Sequence, residues 1–310
     1  MSTWPVEHAL CVEYLYAHYS LDAPVALPED ATEPDLRIFA AAREVFNIAV
    51  DEMRHLRWVN EALNLLDQPP SVGRAKRIGR QLNRRFALKP LTPAQLQWFV
   101  DVERPSQDLT GALDGMYVRL HASISQQPEV FPEGERLVDL IKLIIDEGED
   151  HFERFSAIQR HLEGLADNDY LRPLGDPTEP RLIALQNLSG QNYAVVIGAL
   201  ETTFSLGDRA GGVLIEQARR AMFNLHEINH YMAGQGVRAR FNLPRARDRR
   251  RLTRTDAHEL TSSLSENLER SVSEVAAGGD ESERALAESV LLRNRELFDA
   301  MHRLIDEDLA

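Results

Sequence analysis

Ile48-Ala-Val-Asp51-Glu52-Met-Arg54-His55-Leu-Arg-Trp-Val-Asn60 decides how the chain is read. Glu52 and His55 stand three apart in a long segment with helical apolar spacing. Residues three apart lie on one helix face about a turn from each other. A carboxylate and an imidazole so placed can hold one metal ion together. Four-helix bundles can hold two ions with two such Glu-x-x-His pairs and one Glu from each of the other two helices. One pair alone is a weak signal in so acidic a chain, so the rest of the sequence must supply the other donors at matching depth.

Working outward from Glu52, residues 35–66 carry neither Pro nor Gly and predict a helix of roughly 48 Å, at 1.5 Å per residue. Before it, residues 3–21 read as a helix, with Thr3 as cap, Pro5 in the first turn and Glu7 favoured there by the helix dipole. Residues 22–34 carry three prolines and read as a loop. Residues 74–90 read as a basic surface excursion. A third helical position spans 92–102 and 107–127, interrupted at Pro105, and a fourth helix spans 135–165. After a Pro/Gly/Asp loop at 166–182, helices are predicted near 190–206, 211–234, 255–276 and 281–308. The class is all-α, a four-helix bundle with additional C-terminal helices. The expected division is 1–167 for the bundle, 168–254 for helices packed on it, and 255–310 for a C-terminal helical hairpin.

Depth selects the partners. Glu52 lies 17 residues into the second helix, and Glu7 lies 14 before the end of the antiparallel first, whereas Glu13 lies only 8 before it. Glu7 therefore fits as a ligand, and Glu13 reads as a surface or salt-bridging residue. In the fourth helix His151 shares a face with Glu147 at i+4, because the i+3 position is Gly148; Glu149 would need a helix distortion to take part. The same depth in the third helix points to Asp114, with Tyr117 a turn on. Carboxylates and imidazoles together suit two divalent ions. Tyr14 and Tyr117 are the candidates for a role beside the metals.

The chain of 310 residues carries a net charge of −14, which argues against general nucleic-acid binding. No apolar run reaches the ~18 residues that cross a membrane. The single Cys11 excludes an internal disulfide, and a cytoplasmic setting is expected. His226-Glu227-Ile-Asn-His230 matches the zinc metallopeptidase pattern H-E-x-x-H, without the glycine and third histidine that extend it in some families. The run Arg245–Arg254 reads as a basic linker. The last helices, with Leu260, Leu264, Leu268, Leu291, Leu297 and Met301, are amphipathic and could form a homodimer interface.

Several stretches resemble the ferritin-like domain of iminophenyl-pyruvate dimer synthases, enzymes of bisindole pathways such as violacein and rebeccamycin. Glu7-His-Ala-Leu-Cys-Val-Glu-Tyr14-Leu-Tyr-Ala-His-Tyr19-Ser20 is similar to that family's E-H-A-…-Y-L-x-A-x-Y-S. Asp51-Glu-Met-Arg-His55-Leu resembles its E-E-M-x-H-L, and Trp98-Phe-Val-Asp-Val-Glu103-Arg-Pro105 its F-x-x-I-E-x-P. Glu147-Gly-Glu-Asp-His151-Phe-Glu-Arg-Phe is similar to its fourth-helix segment. The resemblance covers about residues 4–245 and implies Glu7, Glu52, His55 and His151 as ligands. Two features depart from it: Gly115, beside Asp114, stands where the family tends to have Glu, and an insertion before the second His is absent. No region resembles the partner domain of the larger pathway enzymes.

The expectation is therefore a ferritin-like non-haem di-iron oxidase or oxygenase that turns O₂ or peroxide on a small molecule. Its two irons per chain, with manganese as the other metal considered, would be held by Glu7, Glu52 and His55, and by Asp114, Glu147 and His151. The rival readings are a non-catalytic ferritin-like iron-binding protein and an H-E-x-x-H zinc peptidase.

Overall fold

A computed structural model describes residues 6–78, 84–105, 113–206, 213–242 and 250–306. Side chains 113–114 and 213–214 also lie outside the description. The order is α1 (Val6–Tyr19), α2 (Glu33–Leu65), β1 (Arg77–Ile78), β2 (Arg84–Arg85), α3 (Pro93–Glu103), α4 (Leu113–Ser125), a 3₁₀ turn (Pro128–Val130), α5 (Gly134–Leu162), α6 (Asp167–Tyr170), α7 (Pro180–Leu206), α8 (Val213–Gly234), α9 (Arg254–Gly278) and α10 (Glu281–Asp306). The fold is all-α, and the only sheet among the described residues is the two-residue antiparallel pair β1–β2. No helix among the described residues is long and apolar enough to cross a membrane.

The chain forms two compact units, one of residues 1–68 and 73–173, the other of 69–72 and 174–310. The second unit holds together because α7 packs against α8 and α9 alike, and α10 against α7, α8 and α9. Residues 174–254 thus share a core with 255–310.

In the first unit α1 packs on α2, α2 on α5, and both α3 and α4 on α5. Two helices in succession therefore occupy the third bundle position. Local chemistry sets the boundaries. Thr32 caps α2 reciprocally with Asp35, with Pro34 in the first turn, and the chain leaves its end through Asp67 at φ 53°. Thr92 caps α3 ahead of Pro93. Gly134 opens α5 against the preceding turn, where a Cβ would sit 1.9 Å from the Pro128 carbonyl oxygen. One apolar layer joins Val59 and Leu63 of α2, Tyr117 and Ile124 of α4, and Leu137, Leu140, Ile141 and Ile144 of α5. α1 has no exposed residue; all fourteen are buried.

Differences from the sequence reading have local causes. α7 begins at Pro180, about ten residues before the predicted start, because proline is favoured in the first helical turn. The segment 74–90 is less superficial than its charge suggests: Ile78 is fully buried, and the Ala87 N–H donates to Glu13 at 2.9 Å. Residues 107–112, 211–212, 245–249 and 307–308, parts of predicted helices and of the basic run, lie outside the described residues. Arg250, within that run, pairs with the α9 capping residue Asp256 at 2.7 Å.

The second unit has a polar seam. Asn294 Nδ2 donates to Asn192 Oδ1 at 2.7 Å and to the Val290 carbonyl at 2.8 Å, and Ser189 donates to Asn229 at 2.6 Å, all from buried side chains. Removing one partner of a buried polar pair leaves the other desolvated and unmatched. Asn294→Ala is accordingly expected to destabilise this unit by about 1–3 kcal/mol, measured by urea unfolding followed by circular dichroism.

Candidate metal centre

Glu7, Glu52, His55, Glu103 and His151, from α1, α2, α3 and α5, converge inside the first unit, and all five are buried. Glu52 lies at the middle. Its Oε2 is 3.4 Å from His55 Nδ1 and its Oε1 is 3.1 Å from His151 Nδ1. Glu7 Oε2 lies 3.8 Å from His55 Nδ1, and Glu103 Oε2 lies 3.9 Å from His151 Nδ1. The two imidazoles stand 5.1 Å apart between ring centroids. Each imidazole thus faces Glu52 and one further carboxylate with the same nitrogen.

The opposite nitrogens face outward. Asp51 Oδ2 lies 3.7 Å from His151 Nε2, and Glu147 Oε2 lies 3.1 Å from His55 Nε2. Arg54 bridges the two outer carboxylates, at 2.6 Å to Asp51 and 2.8 Å to Glu147, and Arg154 adds a second contact to Asp51 at 2.6 Å. A carboxylate on the far nitrogen fixes the tautomer and ring orientation of a ligating histidine. The two tyrosines brace the terminal carboxylates crosswise. The Tyr14 hydroxyl, on α1, donates to Glu103, and the Tyr117 hydroxyl, on α4, donates to Glu7.

Burial and neighbouring charge oppose each other at these groups. Burial alone would raise Glu52, but His55 and His151 hold its carboxyl well below the usual range. Burial also works against the charged imidazoles, yet Asp51 and Glu52 raise His151 to about 9, and Glu52 foremost raises His55 well above its ordinary value. Glu103 is raised to about 7 by burial and by the charge of Glu52, and burial raises Glu7. Both tyrosines are pushed well above the ordinary phenol value, first by burial and next by the carboxylates they hold.

Whether a metal fits can be judged from the donors. On the inner side of the cluster, Glu52 Oε2 and His151 Nδ1 are buried without a hydrogen bond. Buried polar atoms are rarely left so, and an ion is one ordinary explanation. Glu52, His55 and His151 each offer an atom within 4.8 Å of the others'. A cavity of about 20 Å³ lies among Glu7, Glu52, His55, Glu103, Tyr117 and Gly148. That is room for about one water-sized sphere. Oxygen donors with two imidazoles suit first-row divalent ions. The residues fit such a group.

Against the sequence expectations, Glu7, Glu52, His55 and His151 come together as a cluster, with Tyr14 and Tyr117 at its edge. Glu147 turns to His55 Nε2 rather than to His151. The Asp114 backbone lies in α4, but its side chain lies outside the described residues. Glu103, absent from the sequence-based ligand set, occupies the place facing His151 at the C-terminal end of α3. Its signal was the Trp98–Pro105 motif, which depth counting from the far end of the third position passed over. Glu13 is not at the surface: it is buried, and it accepts from the Trp98 indole at 3.3 Å and from Gln95 at 3.5 Å.

In the second unit, the His226 and His230 rings meet nearly perpendicular at 4.7 Å on α8. Glu227, the general base of the peptidase reading, is instead engaged by Arg293 at 2.8 Å.

Residues 2–170 match the ferritin-like family. That is more than half of the chain, and the protein belongs to this family. No curated protein matches it. Among solved structures, a ferritin-like protein from Caulobacter vibrioides is similar, with a TM-score of 0.57 at 17% identity over 77% of this chain and 95% of that one. At this identity the likeness shows a shared fold.

Proposed function

We propose that the chain is a ferritin-like di-iron oxidoreductase acting on a small molecule, with Glu7, Glu52 and His55 at one iron, and Glu103, Glu52 and His151 at the other. The observation that carries this reading is the placement of Glu52 between the two histidines, each of which also faces a terminal glutamate. When bound, the irons supply redox chemistry with O₂ or peroxide as the oxidant. The chain's own part is positional. Asp51 and Glu147 set their charges beside the far nitrogens of the imidazoles, Tyr14 and Tyr117 hold the terminal carboxylates, and burial keeps water from the centre. The resemblance to iminophenyl-pyruvate dimer synthases supports a role in natural-product biosynthesis. A cytoplasmic setting and a homodimer through α9 and α10 complete this reading.

Anaerobic loading with Fe(II), followed by metal counting and an O₂-uptake assay, tests it. Wild type is expected to hold about two irons per chain, the number for which such a ligand set is built. Glu103→Ala should retain about one and lose O₂ uptake. Wild-type protein that takes up no iron, or that holds iron and never consumes O₂, would overturn the proposal.

A further inference from the structure

His226 and His230 take no part in the centre of the first unit. They lie four apart on α8, and residues at that spacing share a helix face, one turn from each other. Their rings stand 4.7 Å apart between centroids and nearly perpendicular, at 82°. Each offers a ring nitrogen, and the two nitrogens lie within 4.8 Å of one another. Both side chains are half-buried. α8 runs unbroken from Val213 to Gly234, with Leu225, Ile228, Asn229 and Met232 buried along it, so the two imidazoles sit on a fixed rod.

Two imidazoles packed this way repel once both are protonated. Burial first, and His230 second, push His226 down to about 4. At neutral pH that ring is therefore uncharged and keeps a lone pair, which is the form that binds metal.

The neighbouring charges decide what such a pair can serve. In H-E-x-x-H peptidases the intervening glutamate is the general base beside the zinc. Here Glu227 Oε2 accepts from Arg293 at 2.8 Å, and the same arginine nitrogen donates to Asn224 at 2.9 Å. The base is thus neutralised, while the two nitrogen donors stay together. We propose that His226 and His230 form a metal site of the second unit, which holds one exchangeable divalent cation of the zinc class and does not hydrolyse peptides. Nitrogen donors rank Zn(II) above Fe(II), whereas a carboxylate-rich set such as that of the first unit also suits harder ions. Two protein ligands leave the remaining positions to water, so the ion exchanges with solution.

Zinc titration of the full chain against a chromophoric chelator, with bound metal counted by mass spectrometry, tests this. His226→Gln/His230→Gln should hold about one zinc fewer per chain than wild type. Either single variant should weaken that site about tenfold or more, since removing even an outer partner of a ligand costs that much. Folded Glu52→Gln, which disables the first-unit centre, should keep the site. Equal zinc in wild type and the folded double variant overturns the proposal, and so does loss of the site in folded Glu52→Gln. If the histidine variants do not fold, diethylpyrocarbonate labelling of wild type, read by peptide mass spectrometry, decides. Zinc should protect His226 and His230 together, and labelling of the pair that zinc leaves unchanged overturns the assignment. Zinc-dependent cleavage of casein that Glu227→Gln abolishes would restore the peptidase reading and overturn it as well.

Discussion

Glu52→Ala is expected to abolish metal uptake. Among the described residues it is the side chain that reaches both imidazoles, one with each oxygen. Without it neither half of the centre keeps more than one inner carboxylate. Iron per chain, measured by inductively coupled plasma mass spectrometry after saturating load, should fall from about two to background. The metal-free fold also suffers. Removing one partner from a buried ion pair leaves an uncompensated buried group, a loss of about 3–5 kcal/mol. Glu52→Gln, which keeps the shape, should recover part of the stability but not the iron. Wild-type iron content in Glu52→Ala would end the assignment of this centre.

The second large effect is predicted away from the ligands. Phe155 lies one turn beyond His151 on α5 and is fully buried. Its ring packs against Tyr14 at 4.9 Å and Phe99 at 5.2 Å between centroids, and those two rings meet edge to face at 4.6 Å. Phe155→Ala removes one of three mutually packed rings and should cost about 4 kcal/mol. For a unit of this size the transition should fall by roughly 10 °C in calorimetry. The same cavity frees Tyr14, the hydroxyl that holds Glu103, so iron retention should weaken at the His151 half first. Phe155→Leu, which refills much of the volume, should show a smaller loss of both. Unchanged melting in Phe155→Ala would show that the aromatic cluster does not support the bundle.

How much of this was legible in the residues depends on how far each signal travels along the chain. Glu52 and His55 could be read locally, because one helix fixes their relation. Glu7 followed from depth, since the first helix is uninterrupted. Glu103 did not, because the third bundle position is shared by two helices and counting back from the predicted end near residue 127 stops in the second of them. Glu13 was misplaced for a different reason. Depth along the bundle tells a ligand from a non-ligand but not a buried residue from an exposed one, and α1 has no solvent face for Glu13 to occupy. Glu147 shows the limit of face counting: it shares a side of α5 with His151, yet its carboxylate reaches across to His55. The early start of α7 was hidden by a run of prolines and acidic residues that also fits a loop.

The fully enclosed first helix has a thermodynamic corollary. Its fourteen residues include Glu7 at one end and Tyr14 two turns on, so it supplies a donor to one half of the centre and the restraint on the other. A segment without a solvent-facing side cannot persist undocked in water, and an isolated helix of this length is marginal in any case. Seating α1 and completing the ion site are therefore coupled equilibria. Ions stabilise the seated state by mass action, and their release favours an N-terminus that opens to exchange and to proteases.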